Sequence, residues 1–189
     1  MKRTQTLVKL GWVALLLIWM AAACGRATPT APSLSVEERF KKANEFAQQG
    51  EFQKAIAEYE AILQEDPDNV SVLTNLGVAY YQVGQLDNAI AWYQKALSLA
   101  PKDADIHSNL AAAYVQSNQL DKALGEYLTA VQLNPNLAEA HFGLGVVYLQ
   151  QGDKDKAIEA FEQFQALDTG LDPRASDQAR QYLQQLKGE

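Results

Sequence analysis

The sequence predicts an all-α solenoid of four helical hairpins, closed at its C-terminal end by a ninth helix. Three observations support this fold class. Pro67, Pro101 and Pro135 are separated by 34 residues, a period typical of stacked helical hairpins. Apolar residues recur at helical spacing, and no stretch shows the alternating pattern of a half-buried strand. Alanine keeps the same 34-residue step at Ala55, Ala89, Ala123 and Ala157.

The first 23 residues differ in composition from the rest of the chain. Lys2, Arg3 and Lys9 are followed by 14 uncharged and mostly apolar residues, Leu10 to Ala23. This stretch is short for a membrane-spanning helix, which needs about 20 residues. Basic residues before a short apolar stretch are typical of a secretory signal. We therefore predict that residues 1–23 are an export signal and are removed.

Cys24 is the only cysteine of the chain, and it follows the small residues Ala21, Ala22 and Ala23. This run resembles the lipobox of bacterial lipoproteins, which implies cleavage before Cys24 and acylation of its thiol. Acylation would also remove an unpaired thiol from an exported protein. In a host with two membranes, Gly25 resembles the outer-membrane class. Two alternatives stay open: ordinary signal-peptidase cleavage, which releases a soluble exported protein, and an uncleaved signal anchor.

Residues 24–35 are expected to join the anchor to the folded domain. Positions 25–35 are rich in Pro, Ser and Thr and contain one bulky apolar residue, Leu34. Such a composition buries too little apolar surface to offset the entropy of ordering. We predict a flexible tether here.

Residues 36–187 form the predicted repeat domain. Each repeat should contain an A helix of about fourteen residues, a short turn and a B helix of similar length. The turns fall at residues that tolerate positive φ, namely Gly50, Gly84, Asn118 and Gly152. The repeats are residues 36–69, 70–103, 104–137 and 138–171.

Capping residues indicate where the helices begin. Ser35 with Glu38 three residues later predicts a capping box for the first helix. The other predicted N-caps are Asp68 for the third helix, Asp103 for the fifth and Asn136, paired with Glu139, for the seventh.

A ninth helix is predicted over residues 172–187. Asp172 is a suitable N-cap, and Pro173 fits the first helical turn. Apolar side chains, including Ala179 and Leu183, lie on one face at helical spacing, whereas the other face is polar. Because the last repeat of a solenoid has no neighbour, we expect this helix to cap it.

The recurring columns resemble the tetratricopeptide repeat. In the second repeat the family pattern is Leu76-Gly77-x-x-Tyr80, then Ala89-x-x-x-Tyr93, then Pro101. The resemblance implies a right-handed solenoid whose A helices line a concave groove. The chain departs from the pattern at Thr169, where a proline would end the fourth repeat. It also departs in the column of the family's tryptophan, which holds Arg39, Leu73, His107 and His141.

The resemblance also implies which positions of each A helix face the groove. These positions hold apolar side chains and amides, a combination suited to binding a peptide or helix. The expected groove residues are Phe40, Lys41, Asn44, Asn75, Val78, Tyr81, Gln82, Asn109, Val115, Gln116, Phe142, Val146, Leu149 and Gln150.

One specialised form of this groove is not predicted. Family members that bind chaperone tails hold a terminal carboxylate with two asparagines and several basic residues. Asn44 and Asn75 match the asparagines, but Phe40, Asp105 and Asn109 occupy the basic places. A carboxylate would be repelled by Asp105, so we do not expect this class of ligand.

Net charge excludes two classes of partner. The chain carries a formal charge of −7, and removal of Lys2, Arg3 and Lys9 with the signal would make it −10. Nucleic-acid binding needs a basic stripe, and the sequence has none. It also lacks a polybasic membrane patch, so membrane attachment would depend on the anchor.

No catalytic residue, metal or cofactor is expected. The sequence contains no catalytic-triad, His-Glu-x-x-His or phosphate-loop motif. His107 and His141 occupy the same place in neighbouring repeats and are a candidate metal pair, but two ligands rarely suffice. Packing of the two rings in a partly buried column is the simpler interpretation.

Three functional hypotheses follow. The leading one is a non-catalytic adaptor at the cell envelope, lipid-anchored and binding a segment of another exported protein in its groove. Pilus-secretin pilotins, outer-membrane assembly subunits and peptidoglycan-hydrolase adaptors resemble this plan. The second is an assembly factor that self-associates, and the third is a metal-dependent enzyme. If the host has two membranes, we expect the periplasmic face of the outer membrane; the alternative location is soluble in the periplasm or secreted.

Overall fold

A computed structural model describes residues 34–170 and 172–188. Within these ranges the chain forms nine α-helices and no strand, which confirms the predicted all-α solenoid. Cys24, the export signal and most of the tether lie outside the described residues. The helices are α1 Val36–Gln48, α2 Phe52–Glu65, α3 Val70–Gln82, α4 Leu86–Leu99, α5 Ala104–Gln116, α6 Leu120–Leu133, α7 Ala138–Gln151, α8 Lys154–Leu167 and α9 Pro173–Lys187.

The first eight helices pair as four hairpins. Each A helix (α1, α3, α5, α7) begins at the first residue of a predicted repeat and packs on the B helix that follows it. Each B helix also packs on the next A helix. In addition α3 contacts α5, and α5 contacts α7. Neighbouring helices come closest on the inner side of a curved stack, so the A helices line its concave side.

The turn between the helices of each hairpin requires a left-handed residue. Gly50, Gly84 and Gly152 have φ of 76°, 76° and 79°, and Asn118 has φ of 58°. Glycine adopts this conformation without steric cost, and asparagine tolerates it. The prediction made from this column is therefore confirmed in all four hairpins.

Three of the predicted helix starts are confirmed. Ser35 and Glu38 form the capping box, in which the Glu38 N–H donates to Ser35 Oγ (3.2 Å) and the Ser35 N–H donates to Glu38 Oε2 (2.9 Å). Asp103 caps α5 by accepting from the Ile106 N–H (3.1 Å). Asp172 caps α9, with Pro173 as its first residue.

Two predicted caps are wrong. Asn69 caps α3 in place of Asp68 and accepts from the Val72 N–H at 3.1 Å. An N-cap must immediately precede the first helical residue for its side chain to reach the free amides, and Asp68 lies one residue too early. Asn136 fails for the same reason, because Leu137 occupies the N-cap of α7 and forms no side-chain cap.

Small residues allow the two helices of a hairpin to approach. A Cβ atom added to Gly77 would lie 2.6 Å from Tyr93 Cε1, and one added to Gly145 would lie 2.6 Å from two ring atoms of Phe161. Ala89 is fully buried where α4 packs on α3. These contacts explain why each A helix carries a small residue where the aromatic ring of the following B helix packs.

The ninth helix occupies the place of a fifth A helix. Ala179 and Tyr182 continue, at the same 34-residue step, the small column of Gly145 and the aromatic column of Tyr148. The Tyr182 ring stacks on Phe161, with centroids 5.1 Å apart and planes at 27°. Gln178 is exposed where the three preceding A helices, α3, α5 and α7, carry a leucine. The outer face of α9 is therefore polar, as a cap requires.

Candidate binding groove

The groove begins between the first two A helices. Asn44 Oδ1 accepts hydrogen bonds from Tyr59 OH (2.5 Å) and from Asn75 Nδ2 (3.2 Å). These side chains border a depression of 270 Å³ that Val78 and Gln48 also line. Because both contacts use the Asn44 carbonyl oxygen, its NH₂ group is left to donate to a ligand. The structure thus brings together three predicted groove residues, Asn44, Asn75 and Val78.

Tyr81, a predicted groove residue, is half-buried and packs on a core that contains Tyr93 and Tyr127. Burial raises the pKa of Tyr81, and it raises the pKa of Tyr93 and Tyr127 much further. The Tyr81 phenol also raises the pKa of both other tyrosines electrostatically. All three phenols therefore stay neutral at physiological pH. Tyr93 and Tyr127 are buried, so of the three only the Tyr81 hydroxyl can bond a ligand, and it offers no charge.

Tyr93 and Tyr127 come from B helices and are not among the predicted groove residues. Tyr127 packs against Gly143, where an added Cβ would lie 2.1 Å from Tyr127 Cζ. The equivalent place in the other A helices holds Lys41, Asn75 and Asn109. The glycine in this otherwise polar column was the signal that a ring from the preceding hairpin fills the space.

The C-terminal end of the groove is aromatic. Phe142 is half-buried and meets Phe164 edge to face, with ring centroids 5.2 Å apart. It also meets Phe161 at 5.8 Å. Phe142 and Phe164 border a cavity of 510 Å³ between α7, α8 and α9, which Leu167 also lines. We call this cavity the aromatic pocket.

The N-terminal end carries the one basic residue among the predicted groove residues. The Phe40 ring is tilted against Tyr59, with centroids 6.2 Å apart. Lys41 is exposed and lies 4.0 Å from Glu45 across one helical turn. An exposed pair of this kind contributes little to stability, and the ammonium group remains accessible to solvent.

The other predicted groove residues are half-buried or exposed. Val115, Val146 and Leu149 are half-buried and pack on the core, and Asn109 is also half-buried. One exposed glutamine occurs at the same place in every A helix, and among the described residues none of the four side-chain amides hydrogen-bonds to the protein. This glutamine column consists of Gln48, Gln82, Gln116 and Gln150.

The two histidines contact the turns that precede their own helices. His107 Nε2 lies 3.2 Å from the Pro101 carbonyl, and His141 Nε2 lies 2.9 Å from the Pro135 carbonyl. His107 Nδ1 also lies 2.6 Å from Glu126 Oε2. Both partners of His107 are acceptors, so both contacts are hydrogen bonds only when its ring is protonated. Across residues 34–170 and 172–188, no group of three or more His, Cys, Asp and Glu side chains could hold a metal ion.

None of the helices in the described part of the chain is long and apolar enough to cross a membrane.

Four family models match the repeat domain. Three are described as the tetratricopeptide repeat and match residues 40–104, 82–129 and 138–170; one is described as the TPR repeat and matches residues 112–152. No protein with a curated function matches the chain.

Solved structures resemble the chain over most of its length. A MamA protein is 30% identical, with 81% of this chain and 82% of that chain covered and a TM-score of 0.67. A tetratricopeptide repeat protein from Parabacteroides merdae is 28% identical over 81% of this chain, which corresponds to 60% of that protein, with a TM-score of 0.66. A thermophilic TPR protein from Thermus thermophilus is 22% identical, covers 80% of this chain and 81% of that one, and shares the fold with a TM-score of 0.67. Together with the four family models and the 34-residue repeats, the 30% identity to the MamA protein shows that the chain belongs to the tetratricopeptide repeat family.

Proposed function

We propose that this protein is a non-catalytic adaptor that binds an extended or helical segment of another exported protein in its groove. The tetratricopeptide repeat fold is one of protein–protein interaction. The observation that carries the proposal is the composition of the groove. Half-buried apolar side chains alternate there with the exposed glutamine column, whose side-chain amides have no partner in the described structure. Such a surface offers apolar contact and hydrogen bonds to a peptide backbone.

The uncharged side chains along the groove indicate which class of partner segment it binds. The neutral Tyr81 phenol and the amides can bond peptide N–H and C=O groups whatever the side chains of the ligand are. The groove lacks the basic set that a terminal carboxylate would need, and Lys41 stands at one end of it. An internal segment of the partner therefore fits this floor better than a free C-terminus.

The glutamine column provides the test of this binding mode. Replacing all four of its members by alanine removes the amides without creating a cavity, because all four are exposed. We expect the affinity for the partner to fall at least about tenfold, since each lost hydrogen bond costs roughly 0.5–1.5 kcal/mol. The measurement is quantitative crosslinking and capture from membranes of the source cells.

A matched control uses exposed glutamines of the B helices. Alanine at these four positions should leave capture unchanged, because they lie outside the groove. Equal capture by the column variant and the control variant would refute the proposed binding mode. The control positions are Gln53, Gln64, Gln132 and Gln165.

The proposal includes a lipid anchor at Cys24, which lies outside the described residues. Several acyl chains on one cysteine, at about 0.8 kcal/mol per buried methylene, would hold the domain at a membrane. Mass spectrometry of the mature protein should find Cys24 as an acylated first residue. A mature chain that begins at another residue, or a free Cys24 thiol, would contradict the proposed lipid anchor.

Self-association by end-to-end stacking is the alternative, and both ends of the solenoid disfavour it. At the first hairpin, the Glu58 carboxylate binds Arg39 at 2.8 Å and Lys42 at 2.7 Å. At the last, α9 presents an exposed polar face that includes Gln178. Stacking would bury these polar groups, which costs free energy unless each finds a partner.

A further inference from the structure

The aromatic pocket at the C-terminal end of the groove combines an apolar floor with a negatively charged rim. Phe142, Phe164 and Leu167 form the apolar part of its lining. Glu139, Asp168 and Asp172 supply three carboxylates, and no basic side chain belongs to the lining among the described residues. At 510 Å³ the pocket is large enough for a long side chain.

Two of these carboxylates are held in place by the protein. Asp172 Oδ1 accepts from the Arg174 N–H (3.0 Å) and the Ala175 N–H (3.3 Å) at the start of α9. Asp168 accepts from the Gly170 N–H (2.8 Å) and from the Ser176 hydroxyl. A carboxylate has about four acceptor sites, so both can still bind a cation. Their positions are fixed before any ligand arrives, which lowers the entropic cost of binding.

The negative charge along this edge of the groove is not balanced locally. Burial raises the pKa of Asp105, and the carboxylates of Asp103 and Glu139 raise it further. A cation placed near Glu139 would therefore relieve repulsion that the protein itself leaves in place. The opposite end of the groove differs, because Lys41 lies there among Glu37, Glu38 and Glu45.

We propose that the aromatic pocket binds a lysine or arginine side chain of the partner segment. The alkyl stem would lie on the Phe142 and Phe164 rings, and the charged head would lie among the three carboxylates. Aromatic faces attract such cations, and long basic side chains commonly combine an apolar stem with a solvated head. This inference rests on the proposed function, since it assigns the partner segment a basic residue at one end.

The test uses small probes and the full-length protein. N-acetyl-arginine amide is titrated while the backbone amide shifts are followed by NMR, with N-acetyl-norleucine amide and N-acetyl-glutamate amide as neutral and acidic probes. We expect saturable shifts around Phe142, Leu167 and Thr169 with the arginine probe. The norleucine probe should bind about tenfold more weakly, because it lacks two charge-assisted contacts.

Isosteric variants separate charge from structure. Glu139→Gln combined with Asp172→Asn removes two charges, and asparagine still caps α9. This variant should bind the arginine probe about tenfold more weakly than the unmodified protein. Glu37→Gln with Glu45→Gln removes the same charge at the other end of the groove and should bind within about twofold of the unmodified protein. If the double variant is unstable, Glu139→Gln alone replaces it in the titration, because Glu139 is exposed.

Three results would overturn the inference: equal binding of the arginine and norleucine probes, unchanged binding to the Glu139 variants, or shifts that lie away from the aromatic pocket. These results leave the proposed function intact if the glutamine-column variant still loses the partner. Conversely, the arginine probe could bind at the pocket while the column variant still captures the partner fully. That result would support the proposed cation site and refute the proposed binding mode of the groove.

Discussion

Two helical glycines show how differently single positions respond to a methyl group. Gly143 lies against the buried Tyr127 ring, whereas Gly125 is exposed in the middle of α6 with no atom within 4 Å of an added Cβ. The first glycine is required by a close approach of two hairpins. Gly125 makes no such contact and only raises the entropic cost of ordering the helix.

Alanine substitutions at these glycines should therefore have opposite effects. Gly143→Ala forces the Tyr127 ring to move and should lower the free energy of unfolding by about 1–3 kcal/mol. Gly125→Ala should raise it by roughly 0.5–1 kcal/mol through helix propensity. Urea denaturation followed by circular dichroism measures both. An unchanged or higher stability of Gly143→Ala would contradict the packing described for this position.

At the scale of helices, the first hairpin is closed by charges where the second uses apolar contacts. Arg39, Lys42 and Glu58 stand where the second repeat has Leu73, Leu76 and Trp92. The hydrogen bond from Lys42 is the largest cause of a lowered pKa of Glu58, and Arg39 lowers it further against the opposing effect of burial. The carboxylate is only 15% exposed. Its removal would leave two cations without their partner.

This lowered pKa makes the stability of α1 and α2 depend on pH. A lowered folded-state pKa contributes stability that is present above the ordinary value of 4.5 and is lost as the pH falls through the folded value. Glu58→Gln should lower the free energy of unfolding by about 1–3 kcal/mol at pH 7. The difference from the unmodified protein should shrink toward pH 3, as measured by urea denaturation at both pH values.

Glu45→Gln is the control for this measurement. Glu45 is exposed and lies 4.0 Å from Lys41, so its substitution should change stability little at either pH. A Glu58→Gln difference that stays constant between pH 7 and pH 3 would show that the ion pairs are not its source.

The helices could be predicted from the sequence because each column of the repeat has a local physical cause. The left-handed turns at Gly50 and Asn118 illustrate this, since their residue type alone indicates the backbone conformation. The caps were harder, because a shift of one residue separates Asn69 from Asp68. The floor of the groove was only partly predictable. The packing of Tyr127 depends on the close approach of two hairpins, and its one sign in the sequence is Gly143 in an otherwise polar column.

At the scale of the whole molecule, the described helices form a curved stack with polar ends and an inner surface rich in amides and apolar side chains. The ends disfavour further stacking, whereas the inner surface presents a glutamine in every repeat. The acidic mature chain would favour partners that carry basic residues, through long-range attraction. Binding along the inner surface is thus the central claim, and it concerns one side of the solenoid only.

Site-specific photo-crosslinking tests that claim most directly. A photoreactive side chain is placed at Gln82, which the account assigns to the groove, and in a second protein at Ala91, which is exposed on α4. Both are irradiated in intact source cells, and the products are identified by mass spectrometry. We expect a partner protein crosslinked from Gln82 and none from Ala91. A partner crosslinked from Ala91 but not from Gln82 would contradict binding along the inner surface.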